Sequence, residues 1–226
     1  MARDFQRPFA RPAGAVEVLL VRHGSAAAAE AGAPLDGHAD PSLTLDGRAQ
    51  AEAVCARLAA ESPARLFVTP MRRTAETAAP LAARLAVAPT VVPQLREVHL
   101  GSWEGAFADR LAARDALVRE LFAAQRWDVI PHAEPDDRFR ARVRDGLEHV
   151  ARETGPDAAA VAVVHGGVIA EACRQATGSE PFAFLYAENG SITRLLRLAS
   201  GRWALRGFND VAHLAGVPHL AAGRAG

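Results

Sequence analysis

Short apolar runs alternate with helical patterns along most of this chain, and two of the runs, Val16 to Val21 and Ala159 to Val164, each stop just before a basic or polar turn containing His-Gly. Parallel strands need crossover connections, and those connections cover both faces of a sheet with helices. The alternation therefore predicts an α/β fold, a three-layer αβα sandwich with a mostly parallel central sheet. In open sheets of this kind ligands collect beyond the carboxyl ends of the strands. Arg22-His23-Gly24 and His165-Gly166-Gly167 both fall there. The helix expected over Gly167 to Ala176 adds amides and partial positive charge to the same edge.

The remaining elements follow from periodicity and punctuation. Thr44 reads as the cap of a helix over Leu45 to Ala60, and Leu66 to Val68 as a short strand. Thr69-Pro70 reads as the opening of a second helix, which Pro80 kinks or ends before Leu85. Thr90 to Val92 is an expected edge strand and Gly101 to Gly105 a turn-rich loop. Helix is expected from Ala108 to Arg126 and again from Asp136 to Glu153, separated by a break at Ile130 to Pro135. Ser191 to Leu198 and Trp203 to Phe208 form an expected hairpin about Ser200-Gly201. One domain over residues 1–226 accounts for this pattern, with a core at 15–105 and 136–214, a helical cap insertion at about 106–135, and flexible ends at 1–14 and 215–226.

Composition narrows the chemistry. At 226 residues, half of them apolar, the chain is long enough for one well-buried domain. Its 26 basic and 26 acidic residues cancel, so no overall field draws it to nucleic acid or to an anionic membrane. Every basic residue is Arg and none is Lys, which removes Schiff-base and phosphate-loop lysine chemistry and leaves Arg, His and backbone amides to hold an anion. Cys55 and Cys173 sit where small core residues serve and have no paired metal spacing. No run approaches about twenty apolar residues, so a cytoplasmic protein without membrane contact is expected. Trp203 and Val211 to Leu220 leave a homodimer open.

Further candidates lie in three segments. Thr69-Pro70-Met71-Arg72-Arg73-Thr74 puts two adjacent arginines in the first turn of a helix at a strand end, and only one of them can enter a pocket there. Leu95 to Gly105 offers Glu97 and Glu104, either of which can protonate a leaving oxygen. Spacing does not choose between them.

Taken in order, LLVRHG, Leu43-Thr44 with Gly47 and Gln50-Ala51, TPMRRTAETA, LREVHLGSWEG, VVHGG and ENGSIT resemble the histidine phosphatase superfamily, the phosphoglycerate mutase-like proteins, in its larger branch 1. The resemblance spans Val16 to Leu214. It implies that His23 is the residue that becomes phosphorylated, that His165 is the second pocket histidine and that Glu97 is the proton donor. It further implies that Arg22 and Arg73, with the amides of Gly24 and Gly166, hold the phosphate. By the same resemblance Glu104 steadies its loop, while Asn189, Ser191 and the segment Phe208 to His213 are supports.

These roles make a metal-independent and cofactor-independent phosphatase acting on a small-molecule phosphate ester, with an acidic to neutral optimum if Glu97 is the acid. A phosphoglycerate mutase-type transferase is the alternative enzyme. It is disfavoured because Ser25 to Ala29 lacks the Glu and downstream Asn that resemble the mutases' substrate contacts. A non-catalytic phosphate sensor is the alternative outside enzymology. Substrate choice is expected to lie in the cap, where Arg126, His132, Glu134 and Arg138 are the candidates to face the leaving group, although side chains of these types are more often solvated; Glu134 would disfavour a second phosphate nearby.

Overall fold

The computed structural model describes residues 9–27 and 37–217. The outermost parts of the expected ends, 1–8 and 218–226, and part of the loop after His23 lie outside the described residues. Strands β1 (Val16–Arg22), β2 (Arg65–Val68), β3 (Thr90–Val91), β4 (Ala159–Val164), β5 (Ile192–Arg197) and β6 (Trp203–Asp210) form one sheet in the order β3-β2-β4-β1-β5-β6. β1, β2, β3 and β4 are mutually parallel, and β5 runs antiparallel to both β1 and β6. The expected hairpin is the β5–β6 pair.

Side-chain alternation on the two central strands builds two cores. Val18 and Leu20 of β1, with Ala160, Ala162 and Val164 of β4, pack on one side with α5 (Asp136–Thr154) and α6 (Gly166–Thr177). Leu19 and Val21, with Val161 and Val163, pack on the other with α1 (Leu45–Leu58) and α2 (Arg72–Leu85). Leu19, Leu20 and Val21 have no exposed surface, and burial of each such side chain contributes about 2 kcal/mol. The strand that carries the site is thus fixed from both faces.

The expected mostly helical stretch from Ala108 to Arg126 holds two short helices, α3 (Phe107–Ala112) and α4 (Ala116–Ala124). Arg114 has a positive φ, and the Asp115 side chain caps α4 by accepting from the Leu117 amide, so the chain turns between them. Leu121, Trp127 and Ile130 belong to the same core cluster as β1 and β4, so this region shares the sheet's core.

Two helix expectations change. Helix α2 begins at Arg72, not at Thr69-Pro70, and it runs through Pro80 to Leu85. Thr74, Thr77, Ala78 and Leu81 are buried on one face of α2, and Pro80 lies off that face, so packing holds the helix together where one backbone bond is missing. The described part of the N-terminal arm is also tied down, since the Gly14 amide donates to Asp157 Oδ1 at 2.7 Å. Trp203 is half-buried and donates from Nε1 to Glu148 Oε1 at 2.8 Å.

The strand-to-loop exit of β1 depends on close backbone contact with α1. Thr44 caps α1 by accepting from the Gly47 amide and donates to the Ser25 carbonyl. A Cβ on Gly24 would stand 2.5 Å from the Gly47 carbonyl oxygen, and a Cβ on Gly47 would collide with the Ser25 carbonyl. We therefore expect Gly47→Ala to lower the unfolding free energy by about 2–3 kcal/mol in urea denaturation. A loss under about 0.5 kcal/mol would show that this contact is soft.

Candidate active site

The register of β1 on β4 pairs Arg22 with Val164, so the next residue on each strand is a histidine at the same sheet edge. The His23 amide donates to the Val164 carbonyl at 3.0 Å, and the two imidazole centroids stand 5.2 Å apart. His23 is 8% exposed and His165 is fully buried. Each ring has one assigned bond. His23 Nδ1 lies 2.8 Å from the Gly24 carbonyl oxygen, which can only accept, so Nδ1 carries the proton and Nε2 keeps its lone pair when the ring is neutral. His165 Nε2 meets Thr69 Oγ1 at 2.9 Å.

Thr69 thus serves the histidine as well as the helix start, where its hydroxyl accepts from the Met71 amide at 3.3 Å. Its hydroxyl also meets Thr74 Oγ1 at 3.1 Å, which ties the β2–α2 connection to His165. Arg73, one residue into α2, is 8% exposed, donates from Nη1 to the Ala39 carbonyl at 2.9 Å and lies 3.7 Å from Asp40 Oδ1. Arg72 is exposed. Of the adjacent pair, Arg73 is the one that turns inward.

Gly24 has a different place from the one expected. Its amide donates to Thr77 Oγ1 at 3.0 Å, and Thr77 in turn donates to the Arg73 carbonyl. That N–H is already committed, so it does not serve as a phosphate donor, and Gly24 is needed for its close approach to Gly47. Gly166 opens α6, where the first amides have no intrahelical partner, and lies against the Arg22 side chain.

Glu97 reaches the same edge from the loop after β3. Its Oε2 accepts from the Gly167 amide at 3.2 Å and its Oε1 from the Val98 amide at 3.0 Å. A Cβ on Gly167 would come within 2.7 Å of Glu97 Oε1, so the second glycine of the His-Gly-Gly turn makes room for the carboxylate. Glu104 accepts from the Leu100 and Ala39 amides, as a loop support would.

Several contributors had no sequence signal. Arg142, on α5, donates to the carbonyls of Gln94 and Glu97, each at 2.8 Å, and forms a two-pronged pair with Glu134 at 2.7 Å on each prong. It pins the backbone that carries Glu97. The buried His38 also approaches the Glu97 carbonyl, at 3.1 Å. Neither lies in a recognisable motif, and only tertiary contact reveals them. The expected supports do meet the site: Asn189 Nδ2 donates to the His23 carbonyl at 2.9 Å, the Gly190 amide to the Arg22 carbonyl at 2.9 Å, and the Arg22 amide to the Ser191 carbonyl at 3.1 Å. His213 meets the Gly190 carbonyl from the closing segment.

The cluster is cationic and poorly hydrated. Burial, followed by the Arg73 and Arg22 charges, holds His23 well below the ordinary imidazole value of 6.5. Burial, then Arg73, His23 and Arg22, does the same to His165. Arg22 and Arg73 are both lowered mainly by burial, with Glu97 opposing. Two buried polar atoms in the cluster, Arg22 Nε and His165 Nδ1, have no hydrogen-bond partner among the described residues. Such atoms are costly unless an acceptor meets them, and a tetrahedral oxyanion carries several acceptors.

A cavity of about 640 Å³ meets this cluster through Arg22, Glu97 and Gly166; His23, His165 and Arg73 lie behind its wall and not on it. Arg126, His132, Glu134 and Arg138, the cap side chains expected at the leaving group, are not on that wall either. Arg126 is forked onto Asp128, Glu134 is held by Arg142, and His132 and Arg138 are exposed. The cap presents apolar side chains to the cavity instead.

A sequence profile of the histidine phosphatase superfamily (branch 1) matches residues 18–211. The chain belongs to that family, and its chemistry is that of a phosphoric monoester hydrolase. It is 30% identical over 212 residues to a metal-independent phosphoserine phosphatase of Arabidopsis thaliana, covering 92% of this chain and 87% of that one. It is 32% identical over 195 residues to a glucosyl-3-phosphoglycerate phosphatase of Mycobacterium tuberculosis, covering 83% and 86%. Among solved structures, the mycobacterial glucosyl-3-phosphoglycerate phosphatase in complex with inorganic phosphate superposes with a TM-score of 0.71 at 27% identity, over 87% of this chain and 98% of that one. A phosphoglycerate mutase from Bacillus anthracis shares the fold, with a TM-score of 0.75 at 21% identity over 90% and 96%.

The depressed imidazoles set a pH dependence of stability. Between the folded value and 6.5 the unfolded chain binds more protons than the folded one, so stability is full above 6.5 and falls as pH drops below it. His38 and His213, also lowered by burial, act in the same direction. Denaturation between pH 7.5 and 5 should show a loss of up to about 1.4 kcal/mol per pH unit per titrating histidine, reduced in His165→Gln. A flat profile would mean that the rings are hydrated and titrate freely.

Proposed function

We propose that the protein hydrolyses small-molecule phosphate monoesters through a phosphohistidine on His23, in the cytoplasm and without a metal or cofactor. The observation that carries the reading is the His23 ring. Its Nδ1 proton is held by the Gly24 carbonyl and burial keeps it neutral, which leaves Nε2 as a nucleophile beside a cationic cluster in which Arg22 Nε and His165 Nδ1 have no partner among the described residues. Free Cys55 and Cys173 fit a reducing compartment.

In the first step Nε2 attacks phosphorus in line and the ester P–O bond breaks, with the departing oxygen taking a proton from Glu97. Arg22, Arg73, the Gly166 amide and His165 Nδ1 hold the non-bridging oxygens as charge builds. In the second step water attacks phosphorus and the P–N bond breaks. The Glu97 carboxylate takes the water proton, inorganic phosphate leaves and His23 regains its lone pair. Asn189 and Gly190 brace the His23 backbone against displacement during both steps.

His23→Ala should lower kcat by at least about 10⁴-fold on every ester, because no other nucleophile is placed there. Glu97→Gln should lower kcat/KM, which reports the first step, by about 10²–10³-fold on an alkyl phosphate and by less than about tenfold on p-nitrophenyl phosphate, whose phenolate leaves without a proton. An equal loss of kcat/KM on both esters would remove Glu97 from the role of acid.

A further inference from the structure

Away from Arg22 and Glu97, rings and aliphatic side chains supply much of the cavity wall. Phe107, Leu111, Phe122, Trp127, Leu185 and Tyr186 line it. The aromatic members are braced from behind: the Phe107 and Trp127 centroids are 5.9 Å apart, Trp127 and Phe182 4.9 Å, and Phe122 and Phe182 6.0 Å. A wall packed in this way exists before any ligand arrives and needs little ordering on binding. Tyr186 is different, with 72% of its surface exposed, so a large ring stands uncovered beside the cavity.

Charge points the same way. Among the described residues Arg22 is the only arginine on the wall, and it is already part of the phosphate cluster; Asp46, Glu97 and Glu188 are the acidic members. A carboxylate or second phosphate on the leaving group would be desolvated beside acids, with no further arginine on the wall among the described residues to meet it. A volume of about 640 Å³ lies within the range that encloses a drug-sized ligand, far more than a phosphorylated three-carbon acid fills.

Resting on the phosphatase reading above, we infer that the preferred substrates are monoesters of a bulky, ring-bearing alcohol with no second anionic group. The ester phosphate enters the Arg22–Arg73 cluster and the ring system lies against Trp127, Phe122 and Leu111, with Tyr186 closing over its outer face. This separates the chain from relatives named for phosphoserine and glucosyl-3-phosphoglycerate, whose names denote substrates that carry a carboxylate.

The test compares kcat/KM of the purified wild type on four alkyl esters: 2-(1-naphthyl)ethyl phosphate, ethyl phosphate, phosphoserine and 3-phosphoglycerate, with p-nitrophenyl phosphate as a separate measure of phosphatase activity. The naphthylethyl ester should exceed each of the other three by at least about 30-fold, the effect of burying one large apolar group. Leu111→Arg, which puts a cation on the wall, should lower the naphthylethyl-to-phosphoserine ratio by at least tenfold. Tyr186→Ser, at an exposed position that tolerates change, should lower it at least threefold even if the first variant fails to fold. A wild-type ratio near one, or in favour of phosphoserine, with p-nitrophenyl phosphate still turned over, overturns the substrate class and leaves the phosphatase reading intact. Loss of turnover on every ester, p-nitrophenyl phosphate included, overturns both.

Discussion

The parallel pairing of β1 with β4, with Arg22 opposite Val164, brings two imidazoles to one sheet edge with centroids 5.2 Å apart. A slip of one residue would turn the alternating side chains of β1 to the wrong faces, exchanging Leu19 and Val21 with Val18 and Leu20 between two cores of different shape. The apolar pattern of the strands therefore secures the geometry of the polar residues that follow them. Gly24 and Gly47 extend the same logic to the loops, where backbone contacts that no side chain could accommodate bring α1 up to the strand end, and Gly167 leaves room for the Glu97 carboxylate.

The cluster assembled there is held against its electrostatic preference. Two guanidinium groups and two imidazoles share a buried space with one carboxylate, and burial disfavours the protonated form of each of the four nitrogen bases. Groups left in that condition interact strongly with an anion of the right shape, because little water has to be displaced from them. The same burial keeps His23 neutral and nucleophilic. Phosphate recognition and nucleophile activation thus have a common physical origin.

Much of this was legible from periodicity and spacing. The central strands, the Thr44 cap and the inward turn of Arg73 follow from local rules together with the family's motif order. Other features depended on contacts between segments far apart in the chain. Thr69 has the sequence look of a helix cap, but its hydroxyl is also drawn to His165 from 96 residues away. Gly24 looks like a phosphate donor until Thr77 is seen to hold its amide. Pro80 looks like a helix breaker, yet the packed face of α2 outweighs one missing bond. In the cap, Arg126 and Glu134 find partners in Asp128 and Arg142, His132 and Arg138 are exposed, and the cavity is left to the apolar side chains between them.

The account's central claim is a covalent bond between phosphorus and His23 Nε2, and trapping that bond tests it most directly. Wild-type protein mixed with ³²P-labelled ester and quenched in alkali within one turnover should retain label that is stable to base, is lost in acid, and maps by peptide mass spectrometry to the segment containing His23. Label on another residue, or turnover with no labelled protein at any quench time, would contradict it.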